Sequence, residues 1–294
     1  MTTQLDYISG STIIPENAFA ISPSRIHSFF EKPHEWYREN VLGEEGFQGS
    51  TSSVLGTIVH YAAECFNKGE PFDKEEVTKY LLKTLAVNYE QGLGSPAEML
   101  SYIENNPARP DIDLYRIQEQ YPVMASVLVS DLRVRGKATE SEKMVAAQVI
   151  PGYYVCGSID DIHGTTITDY KTTSDLSPKE YIPYNYKLQL LCYAWACRKN
   201  GIPIDRISIK WVTNNIVGRV SEKTGKPMKD YPSQVVTVTQ TITEEDYAFI
   251  DDILKLVAES VKYCKDNPEA AYLVFKDYRL KQQVKTKLTL FKGR

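Results

Sequence analysis

The stretch "GSIDDIHGTTITDYKTT", residues 157–173, carries three aspartates and a lysine within two short runs rich in isoleucine and threonine. Apolar and polar residues alternate on both sides of His163 and Gly164, a pattern that is typical of two strands joined by a tight turn. Buried strands do not ordinarily carry so many charges. The charges therefore indicate either a solvated hairpin at the protein surface or a set of side chains that converges on a metal ion.

The register of this hairpin determines which charged side chains meet. With a two-residue turn at these positions, Asp160 pairs with Ile167. Side chains alternate between the two faces of a strand, so Asp160, Asp169 and Lys171 share one face and Asp161 points to the other. Asp160 and Asp169 are then diagonal neighbours, with Cβ atoms about 7–8 Å apart or slightly less. A slip of one residue would reverse the faces of one strand, so the prediction depends on the register.

Two carboxylates on one face repel each other, which raises the pKa of one of them unless a positive charge intervenes. Lys171 supplies one positive charge, and a divalent cation clamped between Asp160 and Asp169 would supply more. Oxygen ligands and an open coordination sphere favour Mg²⁺ or Mn²⁺ over zinc. The short Asp-x-Lys pattern also occurs on solvated hairpins, but apolar neighbours such as Ile159 and Tyr170 favour a hairpin in the centre of a sheet.

The segments around the hairpin predict a mixed α/β fold. Strands are predicted at 140–149, 153–162, 165–172, 206–213 and 234–242. Helices are predicted at 53–67, 74–91, 112–132, 184–200 and 243–265, and the Gly-, Pro- and Asn-rich residues 92–110 are predicted to form a loop or flap. We expect a mixed central sheet flanked by helices, in a single domain. It would comprise a mainly helical part (1–135), an α/β core (136–266) and a basic tail (267–294).

Composition and charge narrow the functional classes. The 294 residues are 42% hydrophobic and 24% charged, as in soluble globular proteins, and the net charge of -4 argues against a protein that grips nucleic acid by bulk charge. The five scattered cysteines never form C-x-x-C, which is typical of reduced thiols. The N-terminus lacks the pattern of a signal peptide, and no apolar run reaches the ~20 residues of a membrane helix. We therefore expect a cytoplasmic protein without membrane contact.

Further motifs lie at fixed positions around the hairpin. "GSIDDI" followed by "DYKTT" matches the pattern G-x-x-D … (D/E)-x-K, and "KLQLLCYAWA" carries Gln189 and Tyr193 in a Q-x-x-x-Y spacing. Upstream, "LGTIVH" places His60 four residues after Gly56, and "ISPSRIHSFFEKPHEWYREN" opens the helical part. Taken in this order over about residues 21–200, the motifs resemble those of the PD-(D/E)XK nuclease superfamily, most closely its RecB-like and RecE-like (exonuclease VIII) branch.

The resemblance implies a restriction-endonuclease-like core and assigns roles to residues of this sequence. Asp160 and Asp169 would be catalytic metal ligands, and Lys171 would be the catalytic lysine. Gln189 and Tyr193 would line the DNA cleft. Because these two residues are four apart on one helix, simple packing of that helix is the alternative interpretation.

The resemblance also implies ligands from outside the hairpin. His60 would add a metal ligand from the helical part, although a histidine on a helix is commonly a satisfied core residue. The family further expects a catalytic glutamate on the strand before the hairpin, where "ATESEKMV" offers Glu140 and Glu142. Glu140 is the better local match, and Glu142 stays open as the alternative.

The sequence departs from the iron–sulfur members of the family. Those members carry a Cys-Pro pair in the N-terminal helix and a cysteine cluster near the C-terminus. This chain has Lys32 and Pro33 at the first place and Cys264 alone near the second. The resemblance therefore predicts Mg²⁺ or Mn²⁺, as one or two ions, and no iron–sulfur cluster.

The resemblance predicts a metal-dependent DNA exonuclease of bacterial or phage recombination and repair. Its substrate would be the ends of double-stranded DNA, and its partner would be a single-strand annealing protein. The subunits would assemble into a ring-shaped homo-oligomer. The alternatives are a structure-specific or adaptation-type endonuclease of the same fold and a catalytically silent DNA-binding module. Basic residues of the tail could also contact DNA phosphates, and the alternative is that they form a solvated terminus. These residues are Lys276, Arg279, Lys281, Lys285 and Lys287.

Overall fold

The computed structural model describes residues 8–9, 12–44, 49–85, 96–105, 109, 111–178, 180–218, 220–221, 224–227 and 229–275. Its strands are β1 (Ile8–Ser9), β2 (Thr12–Ile13), β3 (Phe19–Ile21), β4 (Glu140–Ile150), β5 (Tyr153–His163), β6 (Thr166–Thr173), β7 (Arg206–Thr213) and β8 (Val235–Thr241). Its helices are α1 (Ile26–Glu31), α2 (Pro33–Asn40), α3 (Thr51–Lys68), α4 (Lys74–Leu85), α5 (Pro96–Asn105), α6 (Leu114–Arg135), α7 (Tyr184–Lys199), α8 (Glu244–Asp266) and α9 (Ala271–Phe275).

The central sheet is built around β5. β4 pairs antiparallel along one edge of β5. The other edge is shared, because β3 pairs in parallel with residues 153–155 and β6 pairs antiparallel with residues 161–163. Among the described residues, 156–160 therefore have no strand partner on that edge. β6 continues the sheet by pairing in parallel with β7, and β7 pairs antiparallel with β8.

Helices cover both faces of this sheet. The parallel pair β6–β7 requires a crossover connection, which α7 supplies. Residues 188–197 of α7 are all buried, since α7 lies between the sheet and α8. On the other face, α3, α4 and α6 share an apolar core with Tyr170 and Val212 of the sheet. No helix in the described ranges is both long enough and apolar enough to cross a membrane.

The predicted mixed sheet flanked by helices is confirmed, whereas the predicted turn of the hairpin is wrong. Ile162 pairs with Ile167 and His163 with Thr166, so Gly164 is the first of two turn residues. Gly164 has φ +59°, which glycine adopts without a steric penalty. The register differs from the predicted one by two residues, which preserves the parity of the pairing and places Asp160 opposite Asp169.

Two other segments differ from the sequence-based expectation. Part of the predicted loop or flap forms α5, with Pro96 at its first position, where a missing N–H group costs no hydrogen bond. The segment that follows residue 267 also begins with folded structure, because α9 ends in Phe275, which is fully buried.

Phe275 packs against aromatic rings of the two N-terminal helices. Its ring centroid lies 5.5 Å from that of Phe29, 6.0 Å from that of Trp36 and 4.5 Å from that of Tyr37. The basic residues of the predicted tail lie outside the described residues: Lys276, Arg279, Lys281, Lys285 and Lys287.

Candidate active site

The strands β5 and β6 separate at Asp160. Their last paired residues are Asp161 and Thr168. Two residues beyond Thr168, the backbone N–H of Tyr170 donates a hydrogen bond to the side-chain atom Asp160 Oδ2 (3.0 Å). A carboxylate thus replaces the regular strand ladder at this point, and Asp160 and Asp169 stand on the two sides of the opening.

Asp169 is buried and is held by two neighbours. Lys171 Nζ lies 2.9 Å from its Oδ1 and 2.8 Å from its Oδ2, and Gln189 Nε2 on α7 donates to Oδ1 at 3.1 Å. Burial raises the pKa of Asp169 despite the nearby charge of Lys171. Burial opposes the charge of Lys171, but the carboxylates of Asp169 and Asp160 outweigh it and raise the pKa of this lysine.

Helix α3 brings His60 to the other side of the opening. Its Nδ1 lies 3.2 Å from Asp160 Oδ2, and its ring meets the Tyr170 ring edge-on, with 5.9 Å between centroids. Gly56 permits this close approach of α3 to β6, since a Cβ at Gly56 would lie 3.3 Å from Thr172 Oγ1. In the G-x-x-x-H motif, the glycine thus allows α3 to approach β6 closely, and the histidine contacts Asp160.

Glu142, rather than Glu140, faces this site. Pairing of Ser141 with Asp161 and of Lys143 with Ile159 places Glu142 opposite Asp160. Its carboxylate accepts a hydrogen bond from Ser158 Oγ (2.9 Å), and its pKa is raised by burial and then by the charge of Asp160.

Glu140 is directed elsewhere. It is exposed and pairs with Lys143 at 2.6 Å. The reason is the backbone of Glu142, which has φ +50°, the one positive value among the described non-glycine residues. This left-handed residue breaks the alternation of β4, so residues 140 and 142 do not share an environment as a regular strand would predict. A positive φ at a glutamate carries no signal in the sequence.

The strand opposite Glu142 changes face at the same place. Ile159 packs into the core on the α7 side, whereas Asp161, two residues later, contacts α3 and α6 on the other side. In a regular strand these two side chains would share a face. At this irregularity Asp160 and Glu142 line a cavity that is also bordered by α3, α4 and α7.

That cavity has a volume of about 1100 Å³. Its floor includes the site residues Asp160, Lys171 and Gln189, and α3 contributes His60. The far wall is formed by half-buried tyrosines and exposed or half-buried acids of α3 and α4, namely Tyr61, Tyr80, Glu64 and Glu76. The N-terminal turns of α3 add hydroxyl groups at the other end, namely Ser50, Ser52, Ser53 and Thr57.

Tyr193 lies beneath the site rather than in the cavity. It is buried, and a Cβ at Gly157 would lie 3.1 Å from its ring. Gly157 thus allows α7 to pass close to β5 in the segment 156–160, which among the described residues pairs with β4 alone. Burial raises the pKa of Tyr193 well above its ordinary range. In the described structure, Gln189 reaches the cavity and Tyr193 supports the strand below it.

The arrangement of a hairpin, a preceding glutamate strand and a following helix agrees with a known family. The sequence profile of the PD-(D/E)XK nuclease superfamily matches residues 20–267. The chain belongs to the PD-(D/E)XK nuclease superfamily. The predicted superfamily and its restriction-endonuclease-like core are thereby confirmed. Among curated proteins, none gives a significant match.

Solved structures similar to this PD-(D/E)XK protein include three described as exonucleases. A candidate exonuclease from Eubacterium rectale is 12% identical with a TM-score of 0.49, covering 84% of this chain and 81% of its own. The alkaline exonuclease LHK-Exo from Laribacter hongkongensis is 14% identical with a TM-score of 0.34, covering 72% and 93%. A phage-related exonuclease from Haemophilus somnus 129PT is 12% identical with a TM-score of 0.35, covering 82% and 96%.

The side chains of this PD-(D/E)XK site suit a hard divalent cation. Asp169 Oδ2 is buried and accepts no well-aligned hydrogen bond from the described residues, although Lys171 Nζ is close. Asp160 and Glu142 add carboxylate oxygens, the ligand type that Mg²⁺ and Mn²⁺ prefer. Within the described ranges, no group of three or more His, Cys, Asp or Glu side chains is arranged to hold a metal ion. Lys171 pairs with Asp169, and His60 Nδ1 lies 3.2 Å from Asp160 Oδ2.

Proposed function

We propose that this chain is a metal-dependent DNA exonuclease that hydrolyses phosphodiester bonds at DNA ends. The observation that carries the proposal is the placement of Asp160, Asp169 and Lys171 at the opening between β5 and β6, where Asp160 and Lys171 line a cavity of about 1100 Å³. Lys171 contacts Asp169, and Asp160 lies across the opening from them, so a chain of the nuclease superfamily has here the groups that phosphodiester hydrolysis requires.

Asp160 and Asp169 would hold Mg²⁺ or Mn²⁺, with Glu142 and His60 as further ligands at the rim. When bound, the cation supplies Lewis-acid polarisation of the phosphate and neutralises its charge. Glu142 supports this assignment, because burial and the charge of Asp160 oppose its ionisation and a cation would favour it. Glu140 has no such contact, since Lys143 already neutralises it.

Lys171 would act as a cation rather than as a base. Its raised pKa keeps the ammonium group protonated near neutral pH. From its position beside Asp169 it can donate hydrogen bonds to the attacking water and to the phosphate oxygen on which negative charge develops. Gln189 would orient the carboxylate of Asp169, because its amide donates a hydrogen bond to the same Oδ1 atom that Lys171 contacts.

The exonuclease mode and the DNA partner are supported by motif order. The G-x-x-x-H, D … D-x-K and Q-x-x-x-Y motifs follow one another as in the exonuclease VIII branch. By the same resemblance we propose double-stranded ends as substrate in the cytoplasm of a bacterial or phage-infected cell. A ring of subunits and a single-strand annealing partner remain predictions. The complete set of Asp160, Asp169 and Lys171 favours an active enzyme over a silent DNA-binding module.

The test compares two forms of DNA. End-labelled linear duplex and covalently closed circles of the same sequence are incubated with the protein and Mg²⁺, Mn²⁺ or EDTA. We expect metal-dependent release of nucleotides from linear DNA alone. Asp160→Asn and Lys171→Met are expected to lower the rate on the order of a hundredfold or more, because each removes charge stabilisation at the phosphate.

Asp205→Asn is the matched control. Asp205 is an exposed acid that directly precedes the first residue of β7. The part of β7 that pairs with Lys171 lies at Trp211, six residues further along the chain, so Asp205 is remote from the site. This variant should retain the rate of the unmodified protein. Cutting of closed circles would replace the exonuclease by an endonuclease. An absence of metal-dependent degradation of any DNA would favour the silent binding module.

A further inference from the structure

A buried polar cluster lies next to the site, where Asp161 points toward α3 and α6. Asp161 is completely buried, and its Oδ2 accepts hydrogen bonds from three elements. Tyr170 Oη donates from β6, Arg135 Nη2 from the end of α6 at 2.6 Å, and Asn67 Nδ2 from α3 at 3.2 Å. The Asn67 amide is itself fixed, because its Oδ1 accepts the backbone N–H of Ala138 at 3.0 Å. We call these four side chains the Asp161 cluster.

The cluster lies where backbone pairing no longer holds the two strands together. The last strand pair is Asp161 with Thr168, and beyond it Tyr170 N–H bonds the side chain of Asp160. The distance between β5 and β6 at Asp160 and Asp169 therefore depends on side chains. The bond from Tyr170 Oη to Asp161 joins the two strands next to this position.

Tyr170 also contacts residues of the site itself. Its backbone N–H bonds Asp160 Oδ2, and its ring flanks His60, whose Nδ1 contacts the same oxygen. Tyr170 also stands between Asp169 and Lys171 in the chain. None of the four cluster side chains lines the described cavity, so the cluster can affect the reaction only through the residues that do.

Stability alone does not account for such a cluster. A buried ion pair is commonly no more stabilising than apolar side chains of the same size. This one also leaves Asp161 Oδ1 and Arg135 Nη1 buried without hydrogen bonds among the described residues. What the cluster provides is geometry: three donors from three elements meet at one oxygen, one residue away from Asp160.

We propose that Asp161, Tyr170 and Arg135 are positioning residues that set the spacing of Asp160 and Asp169 for the divalent cation. The inference rests on the proposed function. Supporting residues of this kind orient metal ligands, and their loss typically costs about 10- to 100-fold in metal affinity or activity. The cluster thus belongs to the nuclease site although it faces the α3–α6 side of the sheet.

The experiment uses Tyr170→Phe in the full chain. This change removes one hydroxyl group and keeps the ring beside His60, so folding should persist. Mn²⁺ affinity is measured by electron paramagnetic resonance titration without DNA, and kcat and KM are measured on linear duplex DNA. We expect Mn²⁺ affinity and kcat each to fall about 10- to 100-fold, and KM for DNA to change less than about threefold.

The matched control is Asp131→Asn. Asp131 comes from the same helix, α6, and pairs with buried Lys210 of β7 at 2.6 Å, away from the cavity. It should lower the midpoint of urea unfolding and leave Mn²⁺ affinity unchanged. A second pair of variants, Arg135→Lys and Arg135→Met, tests whether the positive charge of Arg135 matters. The lysine variant should retain more Mn²⁺ affinity than the methionine variant.

The outcomes separate the two proposals. If the unmodified protein binds Mn²⁺ and degrades DNA but Tyr170→Phe does both equally well, the positioning role is refuted and the nuclease function stands. Equal losses of Mn²⁺ affinity in Tyr170→Phe and Asp131→Asn would also refute it, as a general effect of destabilisation. If the unmodified protein neither binds Mn²⁺ nor degrades DNA, the proposed function fails and the positioning role with it.

Discussion

Glu142 shows how one residue can combine two unfavourable features. Its carboxylate is partly buried beside Asp160, which raises its pKa, and its backbone has φ +50°. Left-handed backbone is uncommon for a residue with a Cβ atom. The same conformation turns Glu142 toward the cavity and leaves Glu140 with Lys143 at the surface.

The two glutamates give a paired prediction. Glu142→Gln should weaken Mn²⁺ binding and lower nuclease activity on the order of 10- to 100-fold, because an acidic oxygen next to Asp160 is lost. Glu140→Gln is the control with the same chemical change two residues away, and it should stay within about twofold of the unmodified protein. Both are measured by Mn²⁺ titration and nucleotide release. A larger loss in Glu140→Gln would restore the choice that the local sequence favoured.

At the scale of elements, α8 begins with a reciprocal cap. Asp246 N–H donates to Thr243 Oγ1 (3.1 Å), and Thr243 N–H donates to Asp246 Oδ2 (3.0 Å). Lys187 of α7 pairs with the same carboxylate at 2.9 Å. Burial opposes the charge of Asp246, but Lys187 and the cap outweigh it and lower its pKa. The cap thus joins α8 to the helix that carries Gln189.

This cap predicts a pH-dependent contribution to stability. Because the pKa of Asp246 is lower in the folded chain, its contribution is present above the unfolded pKa of about 3.9 and is lost as the pH falls through the folded pKa. Asp246→Asn should lower the free energy of unfolding by about 0.3–1 kcal/mol at pH 7 and by less near pH 3. Urea unfolding at both pH values measures this. Asp252→Asn, an exposed acid on the same helix, should show no such difference.

Elements with a clear period were predictable from the sequence, whereas local breaks in the period were not. The core strands and α7 and α8 follow from alternation and helical spacing, because burial on one face imposes both patterns. The face of Asp160 was predictable despite the misplaced turn, since a shift of two residues keeps the parity of a strand. The choice between Glu140 and Glu142 was not, because it depends on one left-handed backbone angle.

At the scale of the whole molecule, Phe275 connects the last described helix, α9, to the N-terminal helices α1 and α2. This fully buried ring packs against aromatic rings of α1 and α2, so the end of the described chain completes the core that its first helices begin. The amphipathic pattern of the sequence ends at α8, and one buried phenylalanine beyond it is too little to mark a core element. Helix α9 thus lies within the segment that the sequence predicts as a basic tail.

Removal of this ring should loosen the N-terminal helices. Phe275→Ala is expected to lower the free energy of unfolding by about 3–5 kcal/mol, because it leaves a cavity among large rings. Phe249→Ala, at a partly exposed position on α8, is the control and should change it by less than about 1 kcal/mol. Urea unfolding measures both. Similar losses in the two variants would mean that the aromatic contact contributes little.

The left-handed angle at residue 142 has a consequence for any attempt to make this enzyme tolerate heat. Glycine occupies that region of backbone space freely, whereas a residue with a side chain pays ~1–2 kcal/mol there. Glu142→Gly would remove that strain and an unfavourably placed acid in one step. Laboratory evolution that selects only for thermal stability should therefore favour this substitution, and the resulting protein should be more stable but have lower nuclease activity.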